Sequence, residues 1–188
     1  VPFLAIVAFR DRPHWIIWPS AATAFLGIWL LSGGQMDKLS TGDWLTILCA
    51  LFWALQVILV TRFGAASGRP VTMAVTQFAV CAALGLVIAV AIEEIHLPSI
   101  FAAAPEILYA GVFSGGIAFT FQAVGQRYTT ASQAAIFLSS EAVFAALFAA
   151  LFLSERVPAI GLAGCALILA AIIAVEAVPP LFGGRQRR

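Results

Sequence analysis

One acidic residue in the interior of a largely apolar stretch is the strongest candidate for chemistry. The stretch is FLSSEAVFAALFAALFLSER, residues 137–156, and the acid is Glu141. An acid at the centre of a membrane helix costs about 2.5–3.5 kcal/mol on insertion scales and normally faces a bundle interior or a wet cavity. Two hypotheses follow: a carboxyl group that binds protons or substrate, or a protonated acid that bonds a neighbouring helix and only aids packing.

Uncharged polar residues and one tryptophan could complete such a site. Amides in lipid need hydrogen-bond partners, so we expect them to point into the bundle. An aromatic ring beside an amide suits an organic ligand, although tryptophan is also a common packing residue. A serine before the acid could bind a ligand or bond its own backbone. The predicted substrate-binding or coupling residues are Glu141, Gln56, Gln77, Trp53, Gln122 and Ser140.

Enzymatic chemistry lacks the residues it would need. Both histidines, His14 and His96, lie in predicted loops, and the three cysteines lie in apolar runs at irregular spacing. No HExxH motif, no pair of membrane aspartates and no Ser/His/Asp arrangement is present. The sequence therefore predicts a protein that is not an enzyme, with no catalytic residue, no metal and no cofactor.

The composition places these residues in a membrane. Hydrophobic residues make up 62% of the 188 residues and charged residues only 10%, whereas soluble domains are about half apolar and a quarter charged. A chain of this size cannot hide so much apolar surface, so the lipid bilayer must cover part of it. The sequence predicts an all-α, polytopic transmembrane helix bundle.

Seven apolar segments can be assigned to helices. They are continuously apolar and rich in Ala and Leu, without the alternation that barrel strands show. Six have about the 20 residues that a spanning helix needs, and the first is shorter. The segments are 1–9, 15–32, 44–62, 71–92, 105–125, 132–153 and 158–178.

Charges are distributed unequally between alternate loops. One side receives eight of the ten basic residues, Arg10, Arg12, Arg62, Arg69, Arg127, Arg185, Arg187 and Arg188. The other receives Lys38 and Arg156 with five acids, Asp37, Asp43, Glu93, Glu94 and Glu155. Basic residues in short loops mark the cytoplasmic side. This predicts a multi-pass plasma membrane (cell inner membrane) protein with a cytoplasmic C-terminus, whose basic tail is too short to bind nucleic acid.

The two ends of the chain resemble each other. When the sequence is shifted by 144 positions, Asp11-Arg12 falls on Glu155-Arg156, and both pairs follow an apolar helix and precede another. Three helices lie between the paired hairpins, so the repeat unit has five and must insert in inverted orientation, as in secondary transporters. The competing explanation is that any two Ala/Leu-rich hairpins look alike. The repeat predicts four regions: a truncated first repeat at 1–34, a linker at 35–43, a second repeat at 44–178 and a basic cytoplasmic tail at 179–188.

A known family shares several of these features. GQRYTTASQAAIFLSSEAVFAALFAALFLSERVPAIGLAGCALILAAIIAVE (125–176) resembles the last two helices of the EamA-type drug/metabolite transporter superfamily. LCALFWALQVILVTR (48–62) resembles the opening helix of its second repeat, and LYAGVFSGGIAFTFQAVGQRY (108–128) its third. Ala142 stands where the family usually has proline, which predicts a straighter helix after Glu141.

The resemblance implies a fragment of a ten-helix transporter. Seven of the ten helices would be present, and we expect the N-terminal part of a longer protein to be missing before Val1. It implies passage of small metabolites across the plasma membrane by proton-coupled exchange or facilitated transport.

Three hypotheses about function follow. The first is efflux or exchange of small organic metabolites by alternating access, with protons as coupling ions if Glu141 titrates. The second is a structural or assembly subunit of the membrane that transports nothing. The third is a homodimer in which two copies complete the missing half.

Overall fold

The computed structural model describes residues 1–34 and 40–182. These ranges are mostly helical, with short loops between the helices, and contain no strand. The predicted linker at 35–43 and the predicted tail at 179–188 lie partly outside the described residues. Five charged residues used in the charge count also lie outside: Asp37, Lys38, Arg185, Arg187 and Arg188. The α-helices are α1 (Pro2–Phe9), α2 (Ile17–Leu31), α3 (Thr41–Ser67), α4 (Pro70–Ile92), α5 (Leu97–Ala102), α6 (Ala104–Tyr109), α7 (Phe119–Gly125), α8 (Ala131–Leu138), α9 (Ser140–Phe152) and α10 (Ala159–Phe182).

Five of the predicted spans are long and apolar enough to cross a membrane within the described ranges. They are Thr41–Gly64, Pro70–Ile92, Ala104–Tyr128, Ala131–Phe152 and Ala159–Val178. The span predicted at 15–32 is shorter than expected, because α2 has 15 residues, about 22 Å of helix. A turn at Trp15 and Ile16 delays its start, and Gly33 and Gly34 with positive φ angles of 97° and 68° follow its end.

Several predicted boundaries are displaced outward, among them the end of α3, which lies at Ser67 and not at 62. Helix α3 begins at Thr41, not at 44, because the Ser40 backbone N–H donates to Asp43 Oδ2 at 2.6 Å and the Asp43 N–H donates to Ser40 Oγ at 3.3 Å. This reciprocal cap satisfies N–H groups that a helix start leaves free. Helix α10 continues to Phe182, so the first residues of the predicted tail are helical.

The span Ala104–Tyr128 is not one regular α-helix. Between α6 and α7 the chain forms a π-helix, Ala110–Ala118, and after α7 it ends in a 3₁₀ turn, Gln126–Tyr128. π-helical turns are rare and are often found at functional sites. The sequence AGVFSGGIA has only two bulky β-branched residues, and hydrophobic periodicity does not distinguish π from α turns.

The span Ala131–Phe152 is interrupted at Ser139, three residues before Ala142. The Ser139 N–H donates to the carbonyl of Ile136 at 3.1 Å, and its hydroxyl donates to the same oxygen at 2.5 Å. Helix α9 then begins at Ser140. The interruption lies before Glu141, where a serine that bonds its own backbone breaks the ladder, whereas the helix after Glu141 continues to Phe152.

The chain divides into two compact units. The first contains Val1–Ile58 and the residues from Ala131 onward, and the second contains Leu59–Thr130, so the boundary falls inside α3. Each unit has its own apolar core.

In the first unit, α2 and α10 pack backbone against backbone. A Cβ atom added to Gly27 would lie 2.7 Å from the carbonyl oxygen of Gly164 and 2.8 Å from Ile168 Cγ1. One added to Gly164 would lie 2.8 Å from the Leu31 nitrogen. Small residues permit such close approach, which is how helices gain packing energy where lipid removes the hydrophobic driving force.

Two buried clusters surround this contact. Ile17, Ala24, Ile136, Ala171 and Val175 join α2, α8 and α10. The second cluster joins α1, α8 and the part of α3 that belongs to the first unit. It contains Ala5, Val57, Ile58, Ala131 and Ala134. The helices of the first unit are thus held by small and β-branched side chains.

The second unit packs α4 against α7. Val60, Ala74 and Ala123 form its buried cluster. Phe78 and Phe119 meet edge to face, with ring centroids 5.2 Å apart. Aromatic pairs in this geometry contribute about 0.5–1.5 kcal/mol beyond their burial.

The two helix ends paired by the sequence repeat share one backbone turn. Arg10 and Ser154, 144 residues apart, both have φ 56°. The Asp11 N–H donates to the Ala5 carbonyl at 3.0 Å, and the Glu155 N–H donates to the Ala149 carbonyl at 3.3 Å. Residues at equivalent places in the two hairpins therefore make the same hydrogen bond.

The first prediction concerns the α2–α10 contact. Gly164→Ala should destabilise the folded chain by about 1–3 kcal/mol, because the added methyl group meets backbone atoms that cannot move aside. The measurement is the thermal unfolding midpoint in detergent. Gly85→Ala is the matched control: it is in the middle of α4 with nothing within 4 Å of the added atom, and it should stabilise by up to about 1 kcal/mol. Equal effects of the two substitutions would contradict the contact.

The second prediction concerns the left-handed turn. Ser154→Gly should leave the midpoint unchanged or raise it, since a non-glycine residue in this conformation costs about 1–2 kcal/mol. Ala150→Gly, in the preceding helix, should lower it by about 0.5–1 kcal/mol. A lower midpoint for Ser154→Gly than for Ala150→Gly would rule out the turn.

Candidate functional site

Glu141 lies near the middle of its span. It is ten residues after Ala131 in the 22-residue span Ala131–Phe152, about 15 Å along the helix. It occupies the first turn of α9, its side chain is exposed, and it forms no ion pair or hydrogen bond with any side chain in the described ranges. Negative charge is favoured at a helix N-terminus, so the interruption at Ser139 gives this carboxylate the positive end of a helix dipole in the middle of the membrane span.

Ser140 precedes Glu141 and is half-buried. Further along the same helix, the face Ala142, Ala145, Ala146 and Ala149 lines a cavity of about 450 Å³. The cavity also contacts Leu31 and the turn Glu155–Pro158, and neither Ser140 nor Glu141 contributes to its lining. The acid is thus positioned on a different part of α9 from this cavity.

Trp53 and Gln56 lie on α3, in the part that belongs to the first unit. Trp53 is 44% exposed, and Gln56 is half-buried. Their neighbours Val57 and Ile58 are in the buried cluster with α1 and α8. The structure therefore keeps the tryptophan at the surface of its unit, where it can contact lipid, another helix or a ligand.

Gln77 lines a cavity of about 810 Å³ in the second unit. The polar residues around it are Ser67, Arg69, Thr72, Thr76 and Gln77, and the apolar ones include Phe63, Met73 and Val80. Thr76 Oγ1 donates to the Thr72 carbonyl at 2.8 Å, so this hydroxyl is occupied by its own helix. The cavity combines one cation, an amide and an apolar wall.

Gln122 lies on α7 and is half-buried. Its Nε2 atom is buried and has no hydrogen-bond partner in the described part of the chain. Gln126, one turn later, is only 3% exposed. Its Nε2 and Oε1 atoms are also buried without a hydrogen-bond partner in the described part of the chain. These are the polar groups in the second unit that most need a partner.

The structure thus divides the predicted residues between two units. Trp53, Gln56, Ser140 and Glu141 belong to the first, and Gln77 and Gln122 to the second. Within the units, Ser140 adjoins Glu141, and Trp53 lies one turn from Gln56. Within the described ranges, no group of three or more His, Cys, Asp or Glu side chains could hold a metal ion.

The prediction omitted two features that the structure shows. Arg69 and Thr72 line the larger cavity with Gln77, and the spacing of Thr72, Thr76 and Gln77 along one helix could have indicated a polar face. Gln126 was not among the predicted site residues, although an amide at this depth was expected to point into the bundle, and it is deeply buried.

Comparison with known proteins gives one family and one relative. Residues 40–176 match the model of the EamA-like transporter family. An uncharacterized transporter of Archaeoglobus fulgidus is 32% identical over 156 residues, which are 81% of this chain and 48% of the relative. The chain therefore spans about half the length of this relative. No solved structure matches the chain.

The family match covers the helices α3 to α10, including the span that carries Glu141 and the span that carries Gln122. It covers most of the chain. The chain is a multi-pass membrane protein and belongs to the EamA-like transporter family.

Proposed function

We propose that this chain is part of a transporter that moves small organic metabolites across the plasma membrane, by efflux or exchange, through alternating access. Membership of the family and a relative named as a transporter support transport in general. The observation that carries the proposal is the exposed, unbonded carboxyl group of Glu141 in the middle of a membrane span. A charge in such a place is costly in lipid, and acids in membrane spans commonly belong to ion or proton paths.

Glu141 would exchange a proton or pair with a cationic group of the substrate. The second role proposed for it, packing by a protonated acid, would require a hydrogen-bond partner on another helix. The acid has no such partner among the described residues, and this favours a functional role. Gln56, Gln77, Gln122, Trp53 and Ser140 are proposed as the residues that contact the substrate.

The internal repeat supports alternating access. The shift of 144 that pairs the two left-handed turns also sends Gly27 to Ala171 and Gly164 to Ser20. Ser20 and Ala171 are 3% and 1% exposed, so the close glycine pair has a small, buried counterpart. Two hairpins related in this way are expected if α2 and α10 are equivalent helices of inverted repeats.

On this basis 1–34 is the end of the first repeat and 44–178 is the second. The complete transporter would have ten helices, with the remaining three supplied by an upstream segment or, in a homodimer, by a second copy. Arg127 and Tyr128 support a cytoplasmic position for the loop after α7: both are exposed, with the guanidinium carbon 6.0 Å from the ring centroid. Arginine in short loops is typical of that side, and tyrosine is enriched at both membrane interfaces.

The third prediction tests Glu141. In vesicles containing the full-length transporter, Glu141→Gln should abolish the pH dependence of transport and lower its rate at least about tenfold, because a general proton-transfer group contributes roughly that much or more. The measurement is uptake or efflux of candidate metabolites with and without a pH gradient.

Glu94→Gln is the control, since this acid is in a loop and its side chain is 96% exposed, 3.8 Å from His96. It should transport like the wild type. Unchanged rate and unchanged coupling in Glu141→Gln would eliminate the role of Glu141.

The fourth prediction separates transport from a purely structural subunit. In a variant lacking Cys49, Cys81 and Cys165, single cysteines at Gln56 and Glu141 should react with a membrane-impermeant thiol reagent added from at least one side. A substrate path must be wet, whereas a structural bundle satisfies its polar groups internally. Phe148→Cys, on the exposed apolar face of α9, is the matched control and should stay unlabelled in lipid. Protection of both polar positions would favour the structural subunit.

A further inference from the structure

Three amide atoms at the end of α7 are buried without hydrogen-bond partners. They are Nε2 of Gln122 and both Nε2 and Oε1 of Gln126, in the part of the chain that the structure describes. Gln126 is 3% exposed. A buried amide that lacks a partner is strongly unfavourable, and native proteins rarely leave one unsatisfied. Two such residues one helical turn apart indicate a missing binding partner more strongly than either residue alone.

The two side chains are on one face of the helix. Gln126 directly follows α7 with helical backbone angles (φ −63°, ψ −15°), and a backbone N–H at this helix end bonds to the carbonyl of Gln122. Residues four apart in a helix are neighbours on its surface. Together they present two N–H donors and one carbonyl acceptor within a single turn.

A buried apolar residue lies between the two glutamines, and an exposed arginine follows them. Ala123, three residues before Gln126, is 3% exposed and packs with Val60 and Ala74. The adjacent Arg127 is exposed, and its guanidinium lies over the Tyr128 ring.

We propose that Gln122 and Gln126 bind an uncharged polar group that has both acceptor and donor atoms, such as a carboxamide or the edge of a nucleobase. The carbonyl of the ligand group accepts from the two Nε2 atoms, and its N–H donates to Gln126 Oε1. A carboxylate offers no donor to Gln126, and an ammonium offers no acceptor to the two Nε2 atoms. The biological meaning of this site as a substrate subsite rests on the proposed function, but binding at the site does not require transport.

Ordered water is the competing occupant, because it too satisfies donors and acceptors. Water would satisfy the hydrogen bonds of the three amide atoms, and the chain would then bind no solute selectively at this place. The two alternatives therefore differ in selectivity, which a binding experiment can measure.

The fifth prediction is tested with benzamide and acetamide as probes, and with benzoate and benzylamine as charged counterparts. Equilibrium binding of radiolabelled probes is measured on the purified chain in lipid nanodiscs. Benzamide should bind at least about tenfold more tightly than benzoate or benzylamine, since a site built for hydrogen bonds rejects analogues that leave its groups unpaired. This comparison uses the wild-type chain and needs no variant to fold.

Gln122→Leu and Gln126→Leu should each weaken benzamide binding at least about tenfold. Phe121→Leu, at an adjacent position on α7 that is 72% exposed, should bind as the wild type does. Equal affinity for the neutral and charged probes, binding indifferent to both glutamine variants, or no binding of either amide would overturn the proposal in favour of water.

The outcome is separable from that of the transport experiments. Selective binding in a chain whose Glu141→Gln variant transports normally would keep the amide site and remove the role of the acid. Glutamine variants that bind normally, in a transporter that requires Glu141, would remove only the amide site.

Discussion

The backbone contact between Gly27 of α2 and Gly164 of α10 is the constraint on which the first unit depends. Lipid offers apolar side chains the same environment as a helix partner does, so the helices must gain their association energy from close packing. A Cβ at either glycine would lie within 2.8 Å of atoms of the other helix. The contact fixes the distance between α2 and α10, and α8, which packs on both through Ile136, is positioned by it.

Helix α8 leads to α9, and the interruption between them determines the environment of Glu141. Ser139 uses both its N–H and its hydroxyl on the carbonyl of Ile136, so a new helix N-terminus arises in the middle of a membrane span. An acid two residues later has a favourable dipole where lipid would otherwise strongly disfavour its charge. In the second unit the cost of burying polar groups also decides the environment. Burial of the Gln122 and Gln126 amides is tolerable only if they have a hydrogen-bond partner.

Much of the fold could be predicted from the sequence, because continuous apolar segments of spanning length have few alternative structures in lipid. The spans that became α3, α4 and α10 were predicted to within a few residues at most boundaries. The lengths of α2 and α10 and the start of α3 depended on turns and caps, such as the Ser40–Asp43 pair, that hydropathy does not register. The π-helix at Ala110–Ala118 and the interruption at Ser139 are changes in hydrogen-bond pattern, which leave no trace in the apolar period.

The site was predictable to a smaller extent. An acid such as Glu141 is conspicuous in an apolar segment, and its position near mid-span follows from counting residues. An amide such as Gln126 is expected to point into the bundle, but the extent of its burial depends on how the end of α7 packs. The position of Arg69 at a cavity depends on how two helices pack, which the sequence does not reveal. The internal repeat stays a prediction. It pairs residues that are 144 positions apart in the sequence, and the left-handed turns at Arg10 and Ser154 are at paired positions.

The central claim is that the Glu141 carboxyl group is reached by aqueous protons. Carbon-13 NMR of the chain in lipid bilayers, with the Glu141 carboxyl signal assigned by its loss in Glu141→Gln, measures this directly. The account predicts a carboxyl chemical shift that titrates with bulk pH over the range in which the chain stays folded. A signal that keeps one chemical shift at every pH in that range would contradict it.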